Sequence, residues 1–187
     1  KAGHDSGEAS GDPGRGGGRP MTISLRPFLP SDAPALARLF RDSVEILAED
    51  DYTDDQRAAW ASAADDLATF AEKLAKALTL VALHDGALAG FASFADGRID
   101  MLYVDPEHAR EGVATTLIDA LEKLAAARGA DRMETDASDS ARDFFARRGY
   151  EPQSRNTIMR AGEWFANTTM KKTLGQTKSA GKPGATH

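Results

Sequence analysis

Cysteine is absent from the 187-residue chain, and this absence excludes several kinds of chemistry. Without thiols there is no disulfide, no cysteine-ligated zinc and no cysteine nucleophile, which fits a reducing, cytoplasmic compartment. The sequence also contains no run of about 18 apolar residues, so we expect no membrane-spanning helix and no membrane partner.

Several motifs of well-known enzyme classes are missing as well. The four histidines show no metal-binding spacing such as H-x-x-x-H, so we expect no metal site, and His84 is expected to be exposed at a turn. Neither the G-x-x-x-x-G-K-S/T of nucleotide-hydrolysing P-loops nor the G-x-S-x-G of α/β-hydrolases occurs. These absences argue against zinc hydrolases, P-loop enzymes and serine esterases.

Positive charge is scarce in the centre of the chain. The formal net charge is −6, and residues 1–20 and 171–187 hold seven Lys/Arg against three Asp/Glu, which leaves 16 against 26 in residues 21–170. A body with a charge near −10 should repel nucleic acid and would tolerate or attract a cationic substrate.

One folded domain is expected at residues 21–173, between a Gly-rich disordered leader at 1–20 and a flexible basic tail at 174–187. Two Asp-Gly pairs, at 85–86 and 96–97, separate apolar runs and predict tight hairpin turns, because a type I′ turn needs positive φ. The strands before residue 98 should therefore be antiparallel, which argues against a doubly wound sheet. Ahead of them, Ser31 or Asp32 is expected to cap the first helix.

The most informative stretch runs from residue 98 to residue 127. Apolar and β-branched residues predict a strand that Asp105-Pro106 ends, because proline has no N–H to give to a ladder. A polar loop follows, and apolar residues then recur every three or four positions from Val113 to Leu124, which predicts an amphipathic helix. The segment is therefore predicted to be a strand, a loop and a helix that Gly112 opens.

This arrangement predicts an anion site at the start of the helix. The first-turn N–H groups have no intrahelical partner and lie at the positive end of the helix dipole. Gly112 would let a phosphate approach the backbone closely, Ala114 is also small, and Thr115 could add a hydroxyl. We therefore predict diphosphate binding, with the alternative that Gly112 only relieves a tight turn.

The segment LYVDPEHAREGVATTLIDALEKLA resembles motif A of the GNAT superfamily, the acyl-CoA-dependent N-acetyltransferases. In that family a strand ending in V-x-P leads into Gln/Arg-x-x-Gly-x-Gly/Ala and a long helix. Gly112 and Ala114 match the two small positions, whereas Ala109 stands where the family usually has Gln or Arg. Further on, ARDFFARRGY resembles the ending of motif B. Three residues before this segment, Ser138 replaces an Asn that often contacts the CoA arm in the family. Within the segment, Phe145 replaces a Tyr that often protonates the leaving thiolate.

The resemblance implies a single α/β GNAT domain with a mixed, mostly antiparallel sheet of about seven strands. It also implies that the sheet is splayed at its central pair and flanked by about four helices. The implied activity is transfer of an acetyl group from acetyl-CoA to a primary amine of a small molecule or peptide. The alternative is a non-catalytic acyl-CoA-binding or sensing module, since Ala109, Ser138 and Phe145 depart from the family pattern. The sequence leaves open the acceptor and whether the chain forms a homodimer.

The resemblance also implies three groups of site residues. The cofactor-binding residues are expected to be Leu102, Tyr103, Val104, Ala109, Arg110, Glu111, Gly112, Val113, Ala114, Thr115 and Ser138. The segment from Tyr52 to Trp60 resembles a bacterial GNAT subgroup, and its residues Tyr52, Gln56 and Trp60 are expected to shape the acceptor site. The alternative is that Tyr52 and Trp60 merely pack. For catalysis, Asp100 or Glu134 could accept the amine proton through water, and Tyr150 is the tyrosine nearest to the missing donor.

Overall fold

The computed structural model describes residues 22–175, which form a seven-stranded sheet with helices on both faces. The elements are β1 (Ile23–Pro27), α1 (Ala33–Leu47), α2 (Asp54–Ala61), α3 (Leu67–Lys76), β2 (Leu78–His84), β3 (Ala87–Ala95), β4 (Arg98–Val104), α4 (Val113–Ala127), β5 (Arg132–Ser138), α5 (Asp139–Arg147), β6 (Glu151–Arg160) and β7 (Glu163–Thr173). None of these helices is both long and apolar enough to cross a membrane.

The described residues bear on only one of the two predicted domain boundaries, the C-terminal one. The predicted leader and residues 176–187 of the predicted tail lie outside them. Leu174, which the sequence analysis assigned to the tail, is buried in the core, and its N–H donates to the carbonyl of Asp131 at 2.8 Å. The folded part therefore extends beyond Thr173.

The strand order is β1-β2-β3-β4-β5-β7-β6, and β4 and β5 are parallel while the other neighbours are antiparallel. The predicted mixed, mostly antiparallel sheet of seven strands is thus confirmed. Five helices flank it rather than about four, because the 3₁₀ turn Ser62–Ala64 separates α2 from α3.

The two Asp-Gly turns adopt the predicted conformation. Asp85 and Asp96 have φ of 49° and 51°, and the glycines that follow them have φ of 88° and 79°. Positive φ at both central positions is the signature of a type I′ turn, whose twist matches that of the two strands it joins. The meander β2-β3-β4 is therefore set by local sequence.

The predicted cap of the first helix is wrong. The Asp32 carboxylate binds the Arg26 guanidinium at 2.7 and 2.8 Å and accepts the N–H of Leu29 at 2.8 Å, and no side chain caps α1. A 3₁₀ turn that contains Ser31 leads into the helix instead. The sequence pattern identified a helix start but not the competing arginine.

The sheet separates two cores. On one face, α4 and α5 bury side chains such as Leu117, Ile118 and Phe145 against the strands. On the other face, α1 and α3 bury side chains such as Phe40 and Phe70. Each large apolar side chain buried in this way contributes roughly 1.5–3 kcal/mol, so both helix layers are firmly held and can position a site between them.

β4 and β5 are paired at two positions, Arg98 with Glu134 and Ile99 with Thr135. Past these pairs the two strands are not hydrogen-bonded to each other, although each continues for several residues. The central pair is therefore splayed, as the resemblance implied, and it leaves main-chain hydrogen-bonding groups of β4 free to accept a ligand.

A bulge in β4 accompanies the splay. Ile99 is paired with Phe94 of β3 and Met101 with Ser93, so Asp100 is an extra residue without a partner on β3. Because a bulge reverses the alternation of side chains, Ile99 lies in the core under α4 whereas Met101 lies in the core under α1. The alternation of side chains along β4 therefore breaks at Asp100.

Candidate active site

A cavity of about 740 Å³ runs through the opening between β4 and β5. Its walls come from both faces of the sheet, with α4 and α5 on one side and α1, α2 and the β6–β7 hairpin on the other. One continuous space therefore connects the two helix layers, which is what a reaction between two separately bound substrates requires.

Ten of the eleven predicted cofactor-binding residues line this cavity. They are Leu102, Tyr103, Val104, Ala109, Arg110, Gly112, Val113, Ala114, Thr115 and Ser138. The eleventh, Glu111, is not among the lining residues, and its carboxylate lies 3.0 Å from Nδ1 of His108. The end of β4 and the start of α4, which one short loop joins, thus line the same surface.

The N-terminus of α4 carries no side-chain cap. Gly112 is the N-cap residue, with φ of +88°, and no side chain accepts a hydrogen bond from the first turn. Arg110, two residues earlier, also has a positive φ of 64°. The first-turn N–H groups of Val113 to Thr115 therefore keep their hydrogen-bonding capacity beside the cavity, at the positive end of the helix dipole.

A second glycine brings this helix terminus close to the sheet. A Cβ atom on Gly90 of β3 would lie 2.8 Å from Cγ1 of Val113 and 2.9 Å from the carbonyl oxygen of Tyr103. Neither distance is tolerated between real atoms, so a side chain at position 90 would displace either α4 or β4. Gly90 carried no signal in the sequence, because its role depends on contacts between three separate elements.

The opposite wall of the cavity is aromatic. The rings of Tyr52 and Trp60 have centroids 5.3 Å apart, and Trp60 also packs against Tyr103 and Phe165. The indole N–H of Trp60 donates to the Tyr103 hydroxyl at 3.1 Å. Tyr52 and Trp60 therefore pack on each other and also line the cavity.

Gln56 has a structural position instead. Its side chain caps α2 by accepting the N–H of Thr53 at 3.0 Å, and its amide nitrogen donates to the carbonyl of Trp164 at 2.7 Å. It is not among the lining residues, and it ties α2 to β7. The predicted acceptor-site group is thus divided between two lining aromatics and one tether.

Tyr52 reaches the junction of β5 and α5. The N–H of Asp139 donates to the Tyr52 hydroxyl oxygen at 2.9 Å. Burial raises the pKa of Tyr52 above its ordinary value and raises the pKa of Tyr103 to about 12. Both phenols therefore remain protonated at neutral pH and keep a proton that can be donated.

The three predicted catalytic residues occupy different environments. Asp100 lines the cavity, and its carboxylate lies 2.9 Å from Nζ of Lys73. Glu134 is not a lining residue and is ion-paired with Arg98 at 3.0 Å, at the paired end of the two strands. Tyr150 is buried outside the cavity, where its hydroxyl donates to Glu122 at 3.1 Å. The structure brings only Asp100 to the cavity.

Several lining residues carried no signal in the sequence. Asp136 of β5, Arg147 of α5, Arg160 of β6 and Asn167 of β7 all line the cavity. The strand order β5-β7-β6 brings the β6–β7 hairpin to the central opening, and no pattern in the sequence predicts that order. A hairpin that returns from the end of the chain leaves no local pattern to identify its partner.

The burial of His84 also differs from the expectation. This residue was expected to be exposed at a turn, but it is 6% exposed at the end of β2, because the His108 ring packs beside it with centroids 4.8 Å apart. The expectation of no metal site rested on spacing along the chain. Folding brings His84 and His108 within 4.8 Å of each other and of Glu111, counted between their ligand atoms.

Comparisons with known proteins agree with this geometry. A family profile described as "Acetyltransferase (GNAT) domain" matches residues 48–174. The uncharacterized N-acetyltransferase YafP of Escherichia coli K12 is 35% identical over 149 residues, which is 80% of this chain and 95% of that protein.

Solved structures are similar over most of the chain. A crystal structure from Rhodopseudomonas palustris, named "GCN5-Related N-acetyltransferase: Aminotransferase, Class-II", is 54% identical with a TM-score of 0.81, over 84% of this chain and 100% of that one. The PaiA N-acetyltransferase of Thermoplasma acidophilum, solved in complex with coenzyme A, is 17% identical and shares the fold, with a TM-score of 0.69 over 82% and 99%.

The family profile covers more than half of the chain, and both sequence relatives cover most of it. These matches favour an enzyme over the non-catalytic module that the sequence had left open. The chain belongs to the GNAT acetyltransferase family and is an acyltransferase.

Proposed function

We propose that this chain transfers an acetyl group from acetyl-CoA to a primary amine of a small molecule or peptide. The observation that carries the proposal is the uncapped start of α4 on the same cavity as the splayed strands β4 and β5. The first feature suits a diphosphate, and the second suits an extended arm that forms strand-like hydrogen bonds.

The donor would occupy the α4 side of the cavity. Its diphosphate would accept hydrogen bonds from the N–H groups between Arg110 and Thr115, and Arg147 would add positive charge. Its pantetheine arm would pair with the free edge of β4 at Leu102 and Val104. The coenzyme A complex of the Thermoplasma protein, which shares this fold, supports such a donor.

The acceptor would enter from the aromatic side. Tyr52, Trp60 and Phe165 offer apolar surface, and Asp100 and Asp136 place carboxylates on the same cavity, where they are ion-paired with Lys73 and Arg98. An amine is cationic in water, so it would interact favourably with these two carboxylates. The amine must lose a proton before it can attack, and a carboxylate close to the entrance can accept that proton.

The reaction would proceed by direct attack on the thioester. Asp100 accepts the amine proton through a water molecule, and the amine nitrogen then bonds to the acetyl carbonyl carbon. A main-chain N–H of the open β4 edge stabilises the oxygen as it becomes negative. When the carbon–sulfur bond breaks, the thiolate of CoA takes a proton from the Tyr52 hydroxyl, in the role that Phe145 cannot fill, and the extra proton on the new amide nitrogen passes through water to the Tyr52 phenolate and restores it.

Placing the two reactants next to each other accounts for much of the expected rate. Effective molarities in well-oriented reactions reach about 10⁵ M or more, which lowers a barrier by several kcal/mol. The cavity reaches both faces of the sheet, so donor and acceptor would meet at the gap between β4 and β5 without either having to leave its own wall.

The test is to incubate the purified chain with acetyl-CoA and a panel of primary amines, from polyamines to short peptides, and to follow thiol release together with acetylated product by mass spectrometry. We expect stoichiometric CoA and N-acetyl product with at least one cationic amine. Saturable acetyl-CoA binding with no acceptor-dependent thiol release across the panel would overturn the proposal.

A further inference from the structure

A cluster of two histidines and one glutamate lies at the loop that precedes α4, outside the cavity lining. His84 ends β2, His108 lies in the 3₁₀ turn Pro106–His108, and Glu111 lies in the loop before α4. The Glu111 carboxylate is 3.0 Å from Nδ1 of His108 and 3.7 Å from Nε2 of His84. Three chain segments thus point imidazole nitrogens and a carboxylate at one another.

Among these three side chains one hydrogen bond forms, between His108 and Glu111. Glu111 binds His108, but the 3.7 Å to His84 exceeds a hydrogen bond, and the His84 ring forms none with any residue from 22 to 175. That ring is 6% exposed. The ring nitrogens of His84 are nevertheless not among the fully buried side-chain atoms without a hydrogen bond in residues 22–175, so they keep contact with solvent and are open to an added ligand.

A transition-metal ion fits this set of groups. Two imidazoles and one carboxylate are typical ligands of Zn²⁺ and leave a fourth tetrahedral position for water. With bonds of about 2.0–2.2 Å, such ligand atoms lie about 3.4 Å apart. The two Glu111 distances of 3.0 and 3.7 Å bracket that value, all three ligand atoms lie within 4.8 Å of one another, and the exposed Glu111 side chain has freedom to adjust.

The position of the cluster gives the ion a role. Glu111 directly precedes Gly112, the N-cap of α4, whereas His84 belongs to the rigid sheet. An ion bound to both would tie the loop to β2 and hold it in the left-handed conformations seen at Arg110 and Gly112. Preorganisation of this kind strengthens ligand binding because less ordering remains to be done.

We propose that His84, His108 and Glu111 bind one divalent transition-metal ion, and that the bound ion fixes the loop at the start of α4. The metal-binding part stands independently of the acetyltransfer proposed above, whereas the effect on the coenzyme rests on it.

The experiment uses the full chain, free of any added histidine tag and stripped of metal with a chelator, and titrates it with Zn²⁺ by calorimetry. We expect one ion per chain, with affinity at least 30-fold weaker in His108→Ala and in Glu111→Gln. Glu107→Gln, an exposed change in the same turn, is the matched control and should bind like the wild type. No saturable binding, or equal affinity in all four proteins, would overturn the site.

Two further readouts cover loss of folding and loss of coenzyme binding. Co²⁺ in place of Zn²⁺ should give visible absorption bands of a tetrahedral complex in wild type and in Glu107→Gln, with circular dichroism showing that the weak binders are folded. Zn²⁺ should also tighten CoA binding at least threefold in wild type and leave Glu111→Gln unchanged. Equal CoA affinity with and without Zn²⁺ in a chain that binds both would overturn the bracing role.

Discussion

The two walls of the cavity are built differently. The α4 wall presents main-chain N–H groups at Gly112 and along β4, whereas the α2 wall presents the side chains of Tyr52, Trp60 and Phe165. A main-chain site depends on local conformation, so a short segment of sequence can specify it. A side-chain site depends on which elements pack together, so the residues of the proposed donor wall could be predicted from sequence more fully than those of the proposed acceptor wall.

The largest expected effect is a loss of CoA affinity after a substitution at the start of α4. Gly112→Val should lower CoA affinity about 300-fold, because a β-branched residue resists φ of +88° and blocks the approach of phosphate. Gly129→Val, at the other end of α4 with φ of +90°, is the matched control. It should lower the melting temperature similarly and leave CoA affinity within threefold by calorimetry. Equal losses of affinity in both variants would show that helix stability, not the anion site, is responsible.

The next comparison uses the two ends of the β4–β5 pair. Asp100→Asn should lower kcat/KM for the amine about 100-fold at neutral pH, because the proton acceptor at the cavity is lost. Glu134→Gln makes the same chemical change at the paired end and should alter kcat/KM less than threefold. Steady-state kinetics with saturating acetyl-CoA measures both, and a larger effect at Glu134 would contradict the assignment.

Tyr52→Phe should lower kcat about 30-fold with little change in the KM for acetyl-CoA, since water replaces the proton donor imperfectly. Because burial raises the pKa of Tyr52 above the ordinary value of a phenol, the phenol is lost only as pH rises through that raised value, so wild-type kcat should not decline between pH 7 and pH 9. Tyr150→Phe deletes another buried hydroxyl and is the control, with kcat expected within threefold. Equal kcat loss in both variants would exclude Tyr52 as the donor.

The smallest effect concerns acceptor choice. Trp60→Ala should raise the acceptor KM about tenfold, equivalent to roughly 1.4 kcal/mol, because part of the aromatic wall is removed. The KM for acetyl-CoA should change less than twofold, since that ligand occupies the other wall. The reverse pattern in initial-rate kinetics would place Trp60 on the donor side.

The sequence predicted the strand, the loop and the α4 start because each is encoded within a few residues, as Gly112 illustrates. It did not predict the bulge at Asp100, which arises where β4 must fit both β3 and β5. Nor did it separate Asp100 from Glu134, because charged residues on adjacent strands have the same pattern at either end of the pair. Residues such as Asn167 reach the cavity through a hairpin whose position depends on the whole sheet.

The central claim is that main-chain N–H groups at the start of α4 bind the diphosphate of the coenzyme. The most direct measurement is amide NMR of the ¹⁵N-labelled chain during titration with CoA and, separately, with pantetheine, which has no diphosphate. The account predicts that the amide protons of residues 112–115 shift downfield with CoA and stay in place with pantetheine. Unchanged positions with saturating CoA would contradict it.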